Sequence, residues 1–393
     1  MLEIKAAQRL DKVPPYAFAQ LDQAKKRAIE RGVDIINLGV GDPDLPTPEW
    51  VWRQARAAVG EPRNHRYPDY EGSLGFREAV AGYYQRRFGV SLDPREEVMA
   101  LIGSKEGLAH MVWGMVDPGD VVLIPDPAYP VYEAHTHYAL GEPYFMPLEA
   151  KAGFLPDFRA IPQGVARRAK VMFLNYPNNP TGAVAGRGFF EAATGYCREH
   201  GILLCHDAAY IEMTYDGYRA PSVLEIPGAR EVAVEFYSLS KPFNMTGWRI
   251  AAAVGNKEAL AALGKVKTNT DSGQSGAIQE AGIVALRDDP EGFIGHMNEV
   301  YRSRRDVLVE GLGASGWDVQ KPQGTFYLWA RCPGGMDGRT MAALLLEEAG
   351  VIVAPGPAWG AQGQHYVRFA LTVPEERLRE ACQRISAMMP RVQ

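Results

Sequence analysis

Cysteine is scarce and unpatterned: Cys197, Cys205, Cys332 and Cys382 are the four in 393 residues, and no two form a CxxC pair. That spacing excludes a disulfide framework and a thiolate zinc site and suits a reducing compartment. No apolar run is long enough to cross a bilayer. The segment MLEIKAAQRLDKVPP lacks the apolar core of a secretory signal, so a cytoplasmic protein is expected. Basic residues are not in excess (42 Lys and Arg against 47 Asp and Glu, net charge −5). The electrostatic footprint of a nucleic-acid or membrane-surface binder is therefore missing. The eight histidines show neither HExxH nor another paired ligand spacing, and no metal site is expected. The P-loop spacing GxxxxGK[ST] does not occur. Gly39-Val40-Gly41-Asp42-Pro43 lacks a third glycine and meets proline where a helix would begin, which argues against a nicotinamide-binding turn.

What is present is a long α/β pattern. Between Val98 and Gly255 the apolar runs VMALIG, VVLIP, VMFLN, ILLCHD, VAVEFYSLS and IAAAVG alternate with amphipathic stretches such as Glu106–Met115 and Arg187–His200. Runs rich in Val, Ile and Leu with little polar alternation are strands covered on both faces, and the alternation predicts a mostly parallel sheet. Ligands of such sheets sit beyond the carboxyl ends of the strands. The stretch from about Gly292 onward changes character. A charged helix through Tyr301, Arg304 and Leu308, a strand GTFYLWA, a helix near Met341–Ala349 and a strand HYVRFAL predict a smaller α+β unit, which the first forty or so residues are expected to join.

The residues that follow the strands carry the chemistry. Lys241 ends SLSK, with two hydroxyls before it and Arg249 eight residues on. Hydroxyls and a guanidinium beside one lysine suit a phosphate ester held next to a reactive amine, and such surroundings lower the amine pKa as Schiff-base chemistry requires. An isolated strand-end lysine would instead be merely solvated. Asp207 ends ILLCHD; it reads either as a capping aspartate or as a carboxylate that keeps a pyridine nitrogen protonated. Tyr210 lies three residues on, within reach of a ring hydroxyl. Gly103-Ser104-Lys105-Glu106-Gly107 opens a helix and offers backbone N–H groups to an anion. Asn178-Asn179-Pro180-Thr181-Gly182 is good turn chemistry after VMFLNYP, Tyr129 is placed to stack on a planar ring, and Arg368 within an apolar run needs an anion beside it.

Together these motifs resemble the class I/II aminotransferases among fold-type I enzymes that use pyridoxal 5'-phosphate (PLP). NLGVGDPD, HRYPDYEGSLGFREA, IGSKEG, DPAYPVY, NYPNNPTGA, HDAAY, SLSKPFNMTGWRI and YVRFA occur in the family's order over nearly the whole chain. The resemblance implies an aspartate aminotransferase-like fold, with a large PLP-binding domain over 46–290 and a small domain made of 1–45 and 291–393. It implies PLP as cofactor, with Lys241, Asp207 and Tyr210 as the catalytic groups and Lys241 as the lysine that carries PLP. Asn179 and Tyr210 would bind the ring hydroxyl, Tyr129 would stack on the ring, and Ser104, Lys105, Ser238, Ser240 and Arg249 would surround the phosphate. Tyr67 resembles the tyrosine that reaches the phosphate of a neighbouring subunit, which implies a homodimer with shared active sites. Gly39, Tyr16, Asn179 and Arg368 would bind substrate, Gly39 and Arg368 at its α-carboxylate.

Within the family the likeness is closest to the LL-diaminopimelate aminotransferases of lysine biosynthesis. The implied reaction moves an amino group between LL-2,6-diaminopimelate and 2-oxoglutarate, or in reverse between glutamate and tetrahydrodipicolinate. Alanine:glyoxylate-type and broad-specificity aminotransferases, and PLP-dependent lyases of the same fold, share much of the pattern. Two positions depart from it: Gln274-Ser275 replaces an apolar-aromatic pair and Pro242-Phe243 a Thr-Tyr. Both are expected to border the substrate pocket.

Overall fold

All six apolar runs become strands of one sheet. The structure is a computed structural model that describes residues 4–13, 26, 30, 32–287, 289 and 292–389. A short β1 (Ile36–Asn37) comes first, followed by β2 (Val98–Leu101), β3 (Val121–Asp126), β4 (Glu142–Pro147), β5 (Ala169–Leu174), β6 (Leu203–Asp207), β7 (Ala233–Ser238) and β8 (Ala251–Gly255). The last seven form a sheet in the order β2-β8-β7-β6-β5-β3-β4. The β4-β3, β3-β5, β5-β6 and β6-β7 pairs are parallel, whereas β8 runs antiparallel to both β7 and β2. The sequence had not marked β4. It is an edge strand whose residues are largely exposed, so it lacks the continuous apolar signature of the others.

Alternation along a strand sends successive side chains to opposite faces. On β5, Met172 and Leu174 join one core with Phe76, Tyr84 and Leu204, while Val171 and Phe173 join the other with Leu108, Met111 and Val122. Helices flanking the sheet supply the rest of each core. Ser73 caps the helix Leu74–Phe88 by accepting the Phe76 N–H at 3.3 Å, and Gly89 at φ 71° ends it. The helix Arg187–His200 coincides with the predicted stretch.

The remaining strands are β9 (Tyr327–Arg331), β10 (Val351–Ile352), β11 (Ala354–Pro355) and β12 (Tyr366–Ala370), with helices Phe293–Ala314, Gly338–Ala349 and Glu375–Met388. β12 pairs antiparallel with β11 and β9, and β1 pairs parallel with β10 through Ile36 and Val351. This unit has its own core around Leu308, Phe326, Leu345, Phe369 and Ile385, to which Ile36 and Leu38 contribute from the N-terminal segment and Tyr210, Met213 and Tyr215 from the large sheet's loops. Buried Arg304 grips Asp44 with both nitrogens (2.7 and 2.9 Å) and the Leu371 carbonyl at 3.0 Å. That bidentate pair ties the 39–44 segment to the long helix, where it crosses the carboxyl ends of the large sheet's strands. Among the described residues no helix is long and apolar enough to cross a membrane.

Candidate active site

Where the carboxyl ends of the parallel strands meet the smaller unit lies a cavity of about 1590 Å³. Its wall includes Ser104, Lys105 and Tyr129, then Asn179, Asp207 and Tyr210, then Ser238, Ser240, Lys241 and Arg249, and finally Arg368. Parallel strands bring these residues together because each delivers its following loop to the same edge of the sheet.

Lys241 stands at the centre. Its Nζ donates to the Gly41 carbonyl at 3.2 Å and lies 5.3 Å from the Phe326 ring centre. Burial lowers its pKa to about 8; Arg368 and Arg249 push the same way, and Asp42 and Asp207 oppose them. Asp207 is buried at the end of β6, where its Oδ2 accepts the Tyr132 hydroxyl at 2.8 Å and its own carbonyl accepts Asn175 Nδ2 at 2.7 Å. Burial raises the Asp207 carboxyl above its ordinary range, against the Tyr132 bond and the charges of His206 and Lys241. A cationic N–H placed opposite would relieve that penalty.

One end of the cavity is an anion cup. The helix Ser104–Met115 opens there with Gly103 as its cap. Buried Ser104 Oγ has no hydrogen-bond partner among the described residues, an arrangement that calls for a ligand atom. Ser238 and Ser240 are buried beside it, the Ser240 N–H donating to Ser238 Oγ at 3.2 Å. Arg249 Nη1 donates to the Thr246 carbonyl at 2.7 Å. Gly103 sits at φ 79°, a backbone that favours glycine, and a Cβ there would meet the Arg249 guanidinium. Lys105 adds a second cation, its pKa lowered by burial and by Arg249.

The opposite wall holds Arg368, only 2% exposed. Its Nη1 donates to Asn179 Oδ1 at 2.8 Å and its Nη2 to the Gly39 carbonyl at 2.9 Å. The guanidinium lies between the Tyr327 and Trp359 rings, 3.9 and 4.3 Å from their centres, so its plane is held before a carboxylate arrives. Tyr210 shares a hydrogen bond of 3.1 Å with the Tyr327 hydroxyl.

Two expected residues are not in this chain's cavity wall, and a third falls outside the described residues. Gly39 is not in the cavity wall: its N–H donates to Asn37 Oδ1 at 3.0 Å, and its carbonyl accepts from Arg368. Tyr67 is 88% exposed and away from this chain's own cavity. Tyr16 lies outside the described residues. Neither departure borders the cavity. Phe243 is in the core of the large sheet, and Gln274 bonds to the backbone behind Arg249. Glu106, His110 and Asp271 bring ligand atoms within 4.8 Å of one another, but the Lys267 ammonium is among them, 3.0 Å from Asp271 and 3.5 Å from Glu106. A cation's place there is taken.

Sequence reading had not singled out Tyr132, Asn175, Tyr327 or Trp359. Tyr132 stacks on Phe173 at 4.4 Å and aims its hydroxyl at Asp207; its place in DPAYPVY, one turn after Tyr129, was the available signal. Asn175 links Asp207 to the 178–182 turn, accepting the Asn179 N–H at 2.7 Å.

Residues 33–385 match the family described as aminotransferase class I and II. The chain belongs to that family. As an aminotransferase it can be set beside its relatives. It is 53% identical to an LL-diaminopimelate aminotransferase of Moorella thermoacetica, over 99% of this chain and 100% of that one. It is 54% identical to that of Syntrophobacter fumaroxidans, over 96% and 97%. Among solved structures, substrate-bound BacF from Bacillus subtilis superposes with a TM-score of 0.94 at 39% identity, covering 98% of each chain. A probable N-succinyldiaminopimelate aminotransferase from Thermus thermophilus gives 0.90 at 42%, covering 94% of this chain and 99% of that one. The fold is thus the aspartate aminotransferase-like one expected, as a Thermus thermophilus aspartate aminotransferase variant (TM-score 0.91, 32% identity, 98% and 100% covered) also indicates.

Proposed function

We propose that this aminotransferase uses PLP to move an amino group between LL-2,6-diaminopimelate and 2-oxoglutarate. The observation that carries the cofactor reading is that Lys241, Asp207 and the anion cup open on one cavity. When bound, PLP supplies an aldehyde that links to amines and a cationic ring that draws electrons from the α-carbon of the linked amino acid. Ser104, Lys105, Ser238, Ser240 and Arg249 would hold its phosphate, Asp207 its ring N–H, Asn179 and Tyr210 its ring hydroxyl, and Tyr129 its face.

The chain's own groups then have distinct work. Lys241, with a pKa of about 8, keeps roughly a quarter of its amines neutral near pH 7.5, against about a thousandth for an ordinary lysine. It is the base positioned to take a proton from the substrate α-carbon and return it, work worth roughly 10²–10⁴-fold in rate. Arg368 would orient the substrate α-carboxylate from its aromatic slot. We also propose a homodimer, a reading supported by the exposure of Tyr67, which resembles the tyrosine that reaches a partner's phosphate, and a cytoplasmic setting, which the four buried free thiols favour.

The relatives at 53–54% identity over nearly the full length support the diaminopimelate substrate. A donor screen with 2-oxoglutarate as acceptor tests it. Rapid glutamate formation from LL-diaminopimelate, with alanine, aspartate and the N-succinyl derivative far slower, is the expected result. Fast turnover of any of those three with none on diaminopimelate would discard the substrate. Release of ammonia or pyruvate without an acceptor would point to a lyase.

A further inference from the structure

Gln274 departs from the expected family pattern and is buried, 6% exposed, although it is not among the residues that line the cavity. Its Nε2 donates to the Arg249 carbonyl and lies 3.4 Å from the Trp248 carbonyl, while its Oε1 accepts the Ser275 N–H at 2.7 Å. Carbonyls on one side and an N–H on the other determine which way the amide faces. Behind it, Gln279 donates its Nε2 to the Gln274 carbonyl at 2.7 Å and accepts the Ser73 N–H at 2.6 Å. Two buried glutamines thus link the backbone just after the Tyr67 loop to the backbone of Arg249.

Arg249 needs such a hold. Its backbone is left-handed, at φ 54° and ψ 51°, a conformation unfavourable for any residue that carries a Cβ. That turn sends its guanidinium against Gly103 and onto the Thr246 carbonyl, at the rim of the anion cup. Without the Gln274 donor on the Arg249 carbonyl, the turn would lose a side-chain constraint that bridges it to the 274–279 segment.

We propose that Gln274 is a positioning residue for the anion cup: it clamps Arg249 in its left-handed turn and so presets the guanidinium for the phosphate ester of the cofactor. The inference rests on reading Arg249 as a phosphate-binding residue. Its selectivity is the test, because a clamp on the phosphate arginine affects phosphorylated ligands alone.

The full chain is freed of cofactor and titrated with PLP and, separately, with pyridoxal, which has the ring and aldehyde but no phosphate. Gln274→Met keeps the volume without the donor, and Gln274→Glu faces an acceptor toward the two carbonyls. Both should bind PLP about tenfold more weakly than the parent, the loss expected of one hydrogen bond. Pyridoxal binding should stay within about twofold, and Arg249→Ala should lose at least as much PLP affinity. If both Gln274 variants bind PLP like the parent while Arg249→Ala is weakened, the clamp is refuted and the phosphate reading stands. Equal losses for PLP and pyridoxal would make Gln274 merely structural and also overturn it. Arg249→Ala binding PLP like the parent would remove the phosphate reading, and the inference with it.

Discussion

Replacing Asp207 by Asn should separate function from stability in opposite directions. The carboxyl is buried and accepts the Tyr132 hydroxyl at 2.8 Å, and burial holds its pKa above the ordinary value. A folded-state pKa above that of the unfolded chain means that folding favours the protonated form. Stability is therefore lost as pH rises from the unfolded value, about 3.9, through the raised one. Above the raised value the cofactor-free protein carries the whole penalty. Asn has no charge to bury, so cofactor-free Asp207→Asn should melt higher than the parent by roughly 1–3 °C, with the gain shrinking toward pH 4. Function should move the other way. An uncompensated partner in a buried charge pair costs ~3–5 kcal/mol, which is a loss of roughly 10²–10⁴-fold in kcat/KM. Calorimetry of the cofactor-free chain at two pH values and steady-state kinetics of the loaded enzyme read the two effects. Turnover kept within tenfold, or a cofactor-free variant that melts several degrees lower at pH 7.5, would falsify the reasoning.

Two further outcomes follow from the same geometry. Tyr132→Phe keeps the ring stacked on Phe173 but removes its bond to Asp207; at about 1.5–3 kcal/mol for a hydrogen bond to a charged group, kcat should fall roughly 10–150-fold with an unchanged circular dichroism spectrum. The lowered Lys241 pKa can be read directly. Cyanate labelling of the cofactor-free chain, followed on the Lys241 peptide by mass spectrometry, should show a midpoint near pH 8, and a midpoint near the ordinary lysine value of about 10.4 would contradict the burial argument.

Much of the architecture was legible because its signals are local. A strand buried on both faces must be apolar throughout, and six such runs became six neighbouring strands. β4 escaped because an exposed edge strand needs no such run. The antiparallel direction of β8 escaped because an apolar run reads alike in either direction; only the short connection from β7 through 239–250 reverses it.

The candidate site divides in the same way. The type of each residue after a strand end was visible, an amine at Lys241, a carboxylate at Asp207, small residues and hydroxyls at 103–104 and 238–240. Those choices follow from chemistry that a short segment can express. Which of them share a cavity, and what holds them there, depended on contacts between segments far apart in the chain. Tyr132 meets Asp207 only because β3, β5 and β6 are neighbours, and Tyr327 reaches Tyr210 and Arg368 only because the smaller unit folds over the sheet's edge. Gln274 shows the limit most plainly. By sequence it was a candidate for the pocket border, whereas packing turned it to the backbone of Arg249. The sequence by itself determined which strands form and which chemical groups end them. The tertiary structure alone decided which groups face one another, because hydrogen bonds and burial act over a few ångströms of space whatever the separation along the chain.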